Sequence, residues 1–182
     1  MSHDTLRRIT AAFDYAAQAH AGQTRKGHAQ EPYVNHVADV AHRVARSPNA
    51  SEAAVIAALL HDVVEDTPRT LAEIESAFGA EVAGLVAEVT DDTSLPKDER
   101  RRLQVEHAAA ASPDAKRVKL ADKASNVAAL ADSPPKLWDG ARKRAYLDWA
   151  RSVVDRMRGA DPALEVAFDR EAQRLEAALE RR

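Results

Sequence analysis

The sequence predicts an all-α protein, a single bundle of about eight to ten helices. Apolar residues recur at the three- and four-residue spacing of amphipathic helices, and no segment shows a convincing strand pattern. The chain has 182 residues, of which 45% are hydrophobic and 30% charged, so it can bury the core of one domain. We therefore expect residues 1–182 to form one domain, with 160–182 as a C-terminal helix packed on it.

The first five helices are delimited by the residues that start and stop them. The first helix ends before Gly22, and the second begins after Pro32. Thr70 and Glu73 have the spacing of a capping box at the start of the fourth, and Gly79 separates the fourth from the fifth. The predicted spans are 4–20, 35–46, 51–66, 70–78 and 80–91.

Proline marks the boundaries of the remaining four helices. Pro96 and Pro113 each open a helix, the run Ser133-Pro134-Pro135 ends the second of these, and Asp161-Pro162 starts the last. The predicted spans are 96–111, 113–131, 137–158 and 162 to the end of the chain. The last helix carries an apolar stripe too short for a coiled coil, so we expect it to pack on the body of the domain. The stripe consists of Leu164, Phe168, Ala172, Leu175 and Leu179.

Composition excludes several classes of protein. The formal net charge is only −3, which gives no general reason to expect a nucleic-acid partner. No cysteine is present, so disulfides, thiolate metal sites and cysteine nucleophiles are impossible. No apolar run approaches the length of a membrane span, and the first residues lack the pattern of a signal sequence. We expect a cytoplasmic protein without a membrane partner.

One imidazole and three carboxylates follow an apolar run in segment 57–67, Ala-Ala-Leu-Leu-His-Asp-Val-Val-Glu-Asp-Thr. On a continuous helix His61 and Glu65 are four residues apart, as are Asp62 and Asp66, so the four groups crowd together. Charges beside buried surface need a cation or hydrogen bonds. The alternative is a set of solvated acids at a helix end with His61 near the helix C-terminus, and the dipeptide His3-Asp4 shows that the pair alone is weak.

A second polar stripe lies on an otherwise apolar helix in segment 115–130. Lys119, Asp122, Lys123 and Asn126 follow the i, i+3, i+4, i+7 spacing of one helix face. Such a stripe faces either water or a polar cavity. Asp122 is therefore a candidate metal ligand, and the alternative is a surface ion pair with one of the two lysines.

A basic loop between two helices completes the pattern and carries a resemblance to a known family. The loop reads His-x-Gly-Gln-x-Arg-Lys from His20, followed by Pro-Tyr-x-x-His, which ends at His36. Together with Leu-Leu-His-Asp-Val-Val-Glu-Asp-Thr and Lys-Leu-Ala-Asp-Lys-x-x-Asn, it resembles the HD-domain hydrolases of the RelA/SpoT type, especially the small alarmone hydrolases that include the metazoan SpoT homologue. The resemblance runs from about residue 13 to 149, and implies a single HD-type hydrolase domain.

The resemblance implies a metal site and a catalytic pair. The implied ligands are His36, His61, Asp62 and Asp122, a set of imidazoles and carboxylates that suits Mn²⁺, with other divalent transition metals as alternatives. A metal there would lower the pKa of water and polarise a phosphoryl oxygen. Glu65 and Asp66 would then orient or deprotonate the attacking water.

The resemblance also implies the substrate, guanosine tetra- or pentaphosphate, with removal of its 3′-pyrophosphate to give GDP or GTP. The implied nucleotide contacts are Arg25, Lys26, Lys97, Asn126 and Tyr146. Val37, Thr93 and Ala128 depart from the residues usual in the family, but none replaces an implied ligand.

Two other functions stay open. The same fold and metal can serve another nucleotide, for example by removing the 2′-phosphate of NADPH, an activity known among relatives. The chain can also be a module that binds the alarmone without cleaving it. The Glu65-Asp66 pair argues against the second, because a binding module has no chemical need for it. Sequence leaves the oligomeric state open.

Overall fold

The computed structural model describes residues 2–181 and contains ten α-helices in that range. In chain order, α1 to α10 are His3–Ala19, Val34–Ala45, Glu52–Leu60, Val63–Asp66, Leu71–Phe78, Ala80–Val89, Lys97–Ala108, Pro113–Asp132, Gly140–Asp155 and Pro162–Glu180. The described residues include no strand, only an isolated antiparallel bridge between Thr24 and Pro32. The prediction of an all-α helical bundle is confirmed.

Helices α3 and α8 lie at the centre of the bundle. Helix α3 packs against α1, α2, α6 and α8, and every residue from Ala53 to Leu60 except Val55 is buried. Helix α8 contacts α2, α3, α6, α9 and α10. Because both helices are surrounded by others, the polar residues that they carry must face an internal cavity or be paired.

The structure corrects one predicted helix in a way that affects the site. The span 51–66 was expected to be continuous, but α3 ends at Leu60 and a short helix, α4, begins at Val63. His61 and Asp62 form the turn between them, with Asp62 at φ −98° and ψ −3°. The helix-face argument for His61 with Glu65 was therefore wrong, although the four side chains still lie along one stretch of chain.

Other boundaries differ by a few residues where a cap lies inside the predicted span. Helix α9 starts at Gly140 rather than 137, because the Asp139 side chain caps it by accepting from the Arg142 backbone N–H. Helix α6 ends at Val89, two residues early. The predicted capping box of Thr70 and Glu73 is present at the start of α5.

The C-terminal helix α10 packs against α8 and α9. Four residues of its predicted stripe, Leu164 to Leu175, are buried and Leu179 is partly buried. Its buried N-cap, Asp161, accepts hydrogen bonds from Ser47 and Arg117, which tie the start of α10 to α8 and to the end of α2. In residues 2–181, no helix is long and apolar enough to cross a membrane.

Candidate metal and nucleotide site

The turn between α3 and α4 fixes the orientation of the His61 imidazole. The last carbonyls of a helix have no partner within it, and His61 Nδ1 donates to one of them, Ala58 O, at 2.8 Å. With the proton on Nδ1, Nε2 faces the site, where the neutral ring can offer its lone pair to a metal. His61 Nε2 is buried and has no hydrogen-bond partner within residues 2–181.

Four side chains from three parts of the fold converge at this point. His36 on α2 and His61 direct their Nε2 atoms towards the same two carboxylates. His36 Nε2 lies 3.4 Å from Asp62 Oδ2 and 3.3 Å from Asp122 Oδ1. His61 Nε2 lies 3.0 Å from Asp62 Oδ2 and 3.7 Å from Asp122 Oδ1. The structure therefore brings together all four residues that the resemblance implied as ligands.

This donor set fits a divalent transition metal. His36, His61 and Asp62 each offer a ligand atom within 4.8 Å of the others, and Asp122 lies against both imidazoles. A buried imidazole lone pair beside a carboxylate oxygen is unfavourable unless a cation or a proton lies between them. His36 Nδ1 contacts Ser125 Oγ at 3.0 Å, so each ring is held through the nitrogen that faces away from the cluster.

The pKa values of His61, Asp62 and Asp122 show that negative charge accumulates in the cluster and needs a proton or a cation to balance it. Burial opposes protonation of His61, but the Asp62 and Asp122 carboxylates outweigh it and raise its pKa well above its usual value. Burial likewise opposes ionisation of both aspartates. Even so, the imidazoles hold the pKa of Asp62 well below its usual range, and Lys123 with the imidazoles does the same for Asp122. The carboxylates thus stay ionised in a buried site.

Lys123 is a buried partner of Asp122 that the sequence alone left ambiguous. Its Nζ donates to Asp122 Oδ2 at 3.0 Å and lies 4.8 Å from the centroid of the Trp149 ring. The ion pair that was weighed as an alternative to metal binding therefore exists, but it is buried and uses the carboxylate oxygen that faces away from the imidazoles. Asp122 can serve both partners at once.

Glu65 and Asp66 are held by different hydrogen-bond partners. Glu65 accepts from the backbone N–H of Asp91 at 3.1 Å and from Arg100 Nη1 at 3.2 Å. Asp66 Oδ2 lies 3.0 Å from the hydroxyl of Tyr33. The two acids of the pair thus depend on different parts of the fold, which the sequence could not indicate.

The Tyr33 hydroxyl links Asp66 to Asp62. It donates to Asp62 Oδ2 at 2.6 Å, the shorter of its two carboxylate contacts. Burial and the neighbouring carboxylates raise the pKa of Tyr33 far above its usual value, so the hydroxyl remains a donor. Tyr33 was not among the predicted site residues. Its place in Pro-Tyr-x-x-His, one helical turn before His36, is the signal that could have identified it.

The basic loop is joined to the metal cluster by a chain of hydrogen bonds. Arg25 Nη2 donates to Asn126 Oδ1 at 2.7 Å, and Asn126 Nδ2 donates to Asp122 Oδ1 at 2.6 Å. The loop is held against the turn after α8, where Gly27 is so close to Ser133 that a Cβ on it would lie 2.2 Å from the Ser133 carbonyl oxygen. Arg25 is therefore linked to the cluster through a single residue, Asn126, which bonds to Asp122.

All these groups except His36 line one open cavity of about 980 Å³. Of the residues that the resemblance implied, the cavity lining includes Arg25, Lys26, Lys97, Asn126 and Tyr146 together with His61, Asp62, Glu65, Asp66 and Asp122. His36 is fully behind the lining, as its 2% side-chain exposure indicates. One cavity thus offers a metal-binding end and a basic, aromatic end.

Glu65 gives a testable pH dependence in the metal-free protein. Burial, together with the carboxylates of Asp91, Asp62 and Asp66, raises its pKa from 4.5 to about 7, although the Asp91 N–H and the Arg100 guanidinium at 3.2 Å both favour the ionised form. Its contribution to stability is therefore full below pH 4.5 and is lost as the pH rises through about 7. Relative to Glu65→Gln, the parent should lose up to ~3 kcal/mol of unfolding free energy between about pH 5 and 8. Urea titrations with a chelator present measure this difference, and a pH-independent difference would show that the folded protein does not perturb Glu65.

Comparison with known proteins identifies the family of this chain. The family model described as HD domain matches residues 12–146, and the chain belongs to this family. The chain is similar to guanosine-3′,5′-bis(diphosphate) 3′-pyrophosphohydrolase MESH1 of Homo sapiens, with 48% identity over 86% of this chain and 88% of that protein. The Drosophila melanogaster MESH1 is 47% identical over 85% of this chain and 87% of its own length.

A solved structure supports the same relationship. It belongs to a metazoan orthologue of SpoT that hydrolyses ppGpp, and it superposes with a TM-score of 0.87 at 44% identity, covering 91% of this chain and 94% of that chain. The bifunctional (p)ppGpp synthase/hydrolase SpoT of Escherichia coli is 38% identical over 59% of this chain, which corresponds to only 15% of SpoT. The similarity to the larger enzyme is thus confined to one part of it.

Proposed function

We propose that this protein is a metal-dependent guanosine-3′,5′-bis(diphosphate) 3′-pyrophosphohydrolase, which converts guanosine tetra- and pentaphosphate to GDP and GTP with release of pyrophosphate. The observation that carries the proposal is the convergence of His36, His61, Asp62 and Asp122 at one end of the cavity that Glu65-Asp66 and the basic loop also line. The relatives are named as hydrolases of guanosine-3′,5′-bis(diphosphate), and their high identity to this chain supports the same substrate here.

We assign His36, His61, Asp62 and Asp122 as the metal ligands and Mn²⁺ as the native ion. Two imidazoles with two carboxylates favour a borderline first-row ion over Ca²⁺, which binds imidazole poorly. An ion bound there would lower the pKa of a water molecule and polarise a phosphoryl oxygen. Lys123 and Asn126 hold the two oxygens of Asp122, so the carboxylate keeps one orientation.

We assign Glu65 and Asp66 to the attacking water. Both are carboxylates beside the ligands and can orient a water molecule or take its proton. The water adds to the phosphorus next to the 3′ oxygen, the bond between that phosphorus and the 3′ oxygen breaks, and the 3′ oxygen leaves with a proton. Arg100 and the Asp91 N–H hold Glu65, and Tyr33 holds Asp66. The fold thus positions each acid before substrate binds.

We assign Arg25, Lys26, Lys97, Asn126 and Tyr146 to the nucleotide. A guanidinium such as Arg25 can lie on the face of a base, and Tyr146 offers an aromatic ring in the same cavity. Residues 1–182 are expected to act as one domain, since α10 packs along α8 next to this cavity. The cytoplasmic location stays a prediction.

A substrate panel tests the proposal. Manganese-loaded protein should hydrolyse guanosine tetraphosphate and pentaphosphate with kcat/KM values at least about tenfold above those for NADPH and nucleotide monophosphates. A preference for NADPH would keep the fold and metal but replace the substrate. Tight binding of the alarmone without turnover would make the protein a binding module.

The two basic residues of the loop should differ when each is replaced. Lys26 is exposed and makes no hydrogen bond to the cluster within residues 2–181, so Lys26→Ala should raise the KM for guanosine tetraphosphate several-fold and leave hydrolysis of a compact phosphoester unchanged. Arg25→Ala also removes the bond to Asn126. It should therefore lower kcat on both substrates, in addition to raising KM by about tenfold or more.

Steady-state kinetics of both variants on both substrates measure this difference. Equal effects of the two variants would show that the link from Arg25 through Asn126 to Asp122 does not matter. An unchanged KM for the alarmone in both variants would show that the loop is an ordinary solvated surface that does not bind the nucleotide.

A further inference from the structure

The His36 imidazole is held on the side away from the cluster by a serine of the neighbouring helix. His36 on α2 directs Nε2 towards the two carboxylates, and its Nδ1 lies 3.0 Å from Ser125 Oγ on α8. A hydroxyl group can either donate or accept a hydrogen bond, so Ser125 alone does not decide which ring nitrogen carries the proton. The next partner of Ser125 has to decide it.

The next partner of Ser125 is the carboxylate of Asp39. His36 and Asp39 are three residues apart on α2, so both lie on the face that meets α8. Burial opposes ionisation of Asp39, but hydrogen bonds from Ser125 and Arg43, and the charges of Arg43 and His36, hold its pKa below its usual value. Asp39 is therefore ionised at neutral pH, and an ionised carboxylate can only accept hydrogen bonds.

Two further observations support a hydrogen bond from Ser125 to Asp39. Arg43 Nε donates to Asp39 Oδ2 at 2.9 Å, which holds the carboxylate in place. A serine in a helix can instead donate to the carbonyl four residues earlier, as Ser152 does at 3.0 Å. Within residues 2–181, Ser125 makes no such bond to the Ala121 carbonyl. Ser125 is only 1% exposed, so its proton needs an acceptor in the protein, and Asp39 provides one.

The direction of the hydrogen bonds follows from these contacts. Because Asp39 only accepts, Ser125 donates to it, and the Ser125 oxygen is then left to accept from His36 Nδ1. A neutral His36 ring with its proton on Nδ1 has its lone pair on Nε2, the atom that faces the carboxylates. His61 is held in the same way, since its Nδ1 donates to the Ala58 carbonyl.

We propose that Asp39 is a positioning residue of the metal site, which acts through Ser125 to keep the proton of His36 on Nδ1 and Nε2 free for the ion. The inference rests on the proposed function for the assignment of His36 as a ligand. It adds a residue that does not contact the ion itself. Partners that orient a metal-binding histidine typically contribute ~10- to 100-fold to metal affinity.

The variant Asp39→Asn tests this role because it keeps the shape of the side chain. An amide can donate to the Ser125 oxygen, so the serine proton can turn towards His36 Nδ1, and the ring proton then moves to Nε2. Asp39→Asn should therefore weaken Mn²⁺ binding by ~10- to 100-fold. The Asp39 side chain is 38% exposed, so the replacement leaves the core intact.

Calorimetric titration of Mn²⁺ into the full-length, metal-free protein measures this affinity without any need for turnover. The matched control is Asp14→Asn, at an exposed acid outside the cavity lining that is also bonded to the side chain four residues further on. The control should bind Mn²⁺ within about twofold of the parent. An unchanged affinity in Asp39→Asn, or an equal loss in the control, would overturn the proposal.

A double-mutant cycle separates an effect through Ser125 from the loss of a negative charge near the ion. Ser125→Ala should weaken Mn²⁺ binding about as much as Asp39→Asn does, because His36 Nδ1 then has no acceptor. Since the connection is already broken in Ser125→Ala, adding Asp39→Asn should weaken binding by less than about twofold more. A full additional loss would show that Asp39 acts by its charge alone and would overturn the role through Ser125.

The kinetic counterpart separates this inference from the proposed function. At saturating Mn²⁺, Asp39→Asn should hydrolyse guanosine tetraphosphate with kcat within about twofold of the parent and an unchanged KM, while the Mn²⁺ concentration for half-maximal activity rises. A parent whose Mn²⁺ affinity depends on Asp39 as expected but that hydrolyses no alarmone would disprove the proposed function and support the positioning role. A parent that hydrolyses the alarmone but whose Mn²⁺ affinity does not depend on Asp39 would do the reverse.

Discussion

Replacing Asp122 or His61 by alanine should abolish stoichiometric metal binding while leaving the helical content nearly unchanged. Each side chain is assigned above as one of four ligands, and the two come from different elements, α8 and the turn between α3 and α4. Loss of a partner that merely orients a ligand already weakens metal binding by ~10- to 100-fold, so loss of a ligand should cost at least as much. Elemental analysis of the purified variants and circular dichroism measure the two properties.

Matched controls make this result specific. Asp132→Ala removes an exposed carboxylate from the same helix as Asp122, and His42→Ala removes an exposed imidazole from α2. Both should retain metal as the parent does. One equivalent of manganese in either Asp122→Ala or His61→Ala would contradict the ligand assignment, because it would show that the replaced side chain is not needed to bind the metal.

The second large effect concerns chemistry rather than binding. Glu65→Gln combined with Asp66→Asn keeps the shape of both side chains but removes their ability to accept a proton. This double variant should retain metal and nucleotide and lose turnover of guanosine tetraphosphate by at least ~10²-fold, the usual scale of general acid–base catalysis. Calorimetry gives the binding, and steady-state assays give kcat.

Two exposed acids outside the cavity provide the comparison. Glu75→Gln with Asp92→Asn makes the same chemical change and should leave kcat unaffected. If the Glu65 and Asp66 variant hydrolyses the alarmone near the parent rate, the water-activating role is wrong. If it loses metal as well, the pair contributes to ligation, and the two roles must be separated by the single variants.

The fold was largely predictable because helix signals are local. The caps at Thr70 and Asp161 and the prolines that open α8 and α10 lie in the sequence itself, and the structure has a helix at each. The break at His61 and Asp62 was not predictable. The apolar run before it and the acids after it both favour helix, and the turn depends on the contact between His61 and the Ala58 carbonyl, which no periodicity reveals.

The composition of the cluster was recognisable from residue types, but the connections around it were not. Imidazoles and carboxylates at buried positions indicate a metal site wherever they meet. The partners of Arg25 and Tyr33 lie 101 and 29 residues away in the chain, and only the packing of α2 against α3 and α8 brings them together.

The products formed from guanosine tetraphosphate by the manganese-loaded protein test the central claim most directly. Chromatography of the nucleotide and phosphorus NMR of the phosphates should show one GDP and one intact pyrophosphate for each molecule consumed, with no product formed by the Asp122→Ala variant. Release of orthophosphate in place of pyrophosphate would show a general phosphatase, and the absence of any product despite bound nucleotide and metal would contradict the assignment as a 3′-pyrophosphohydrolase.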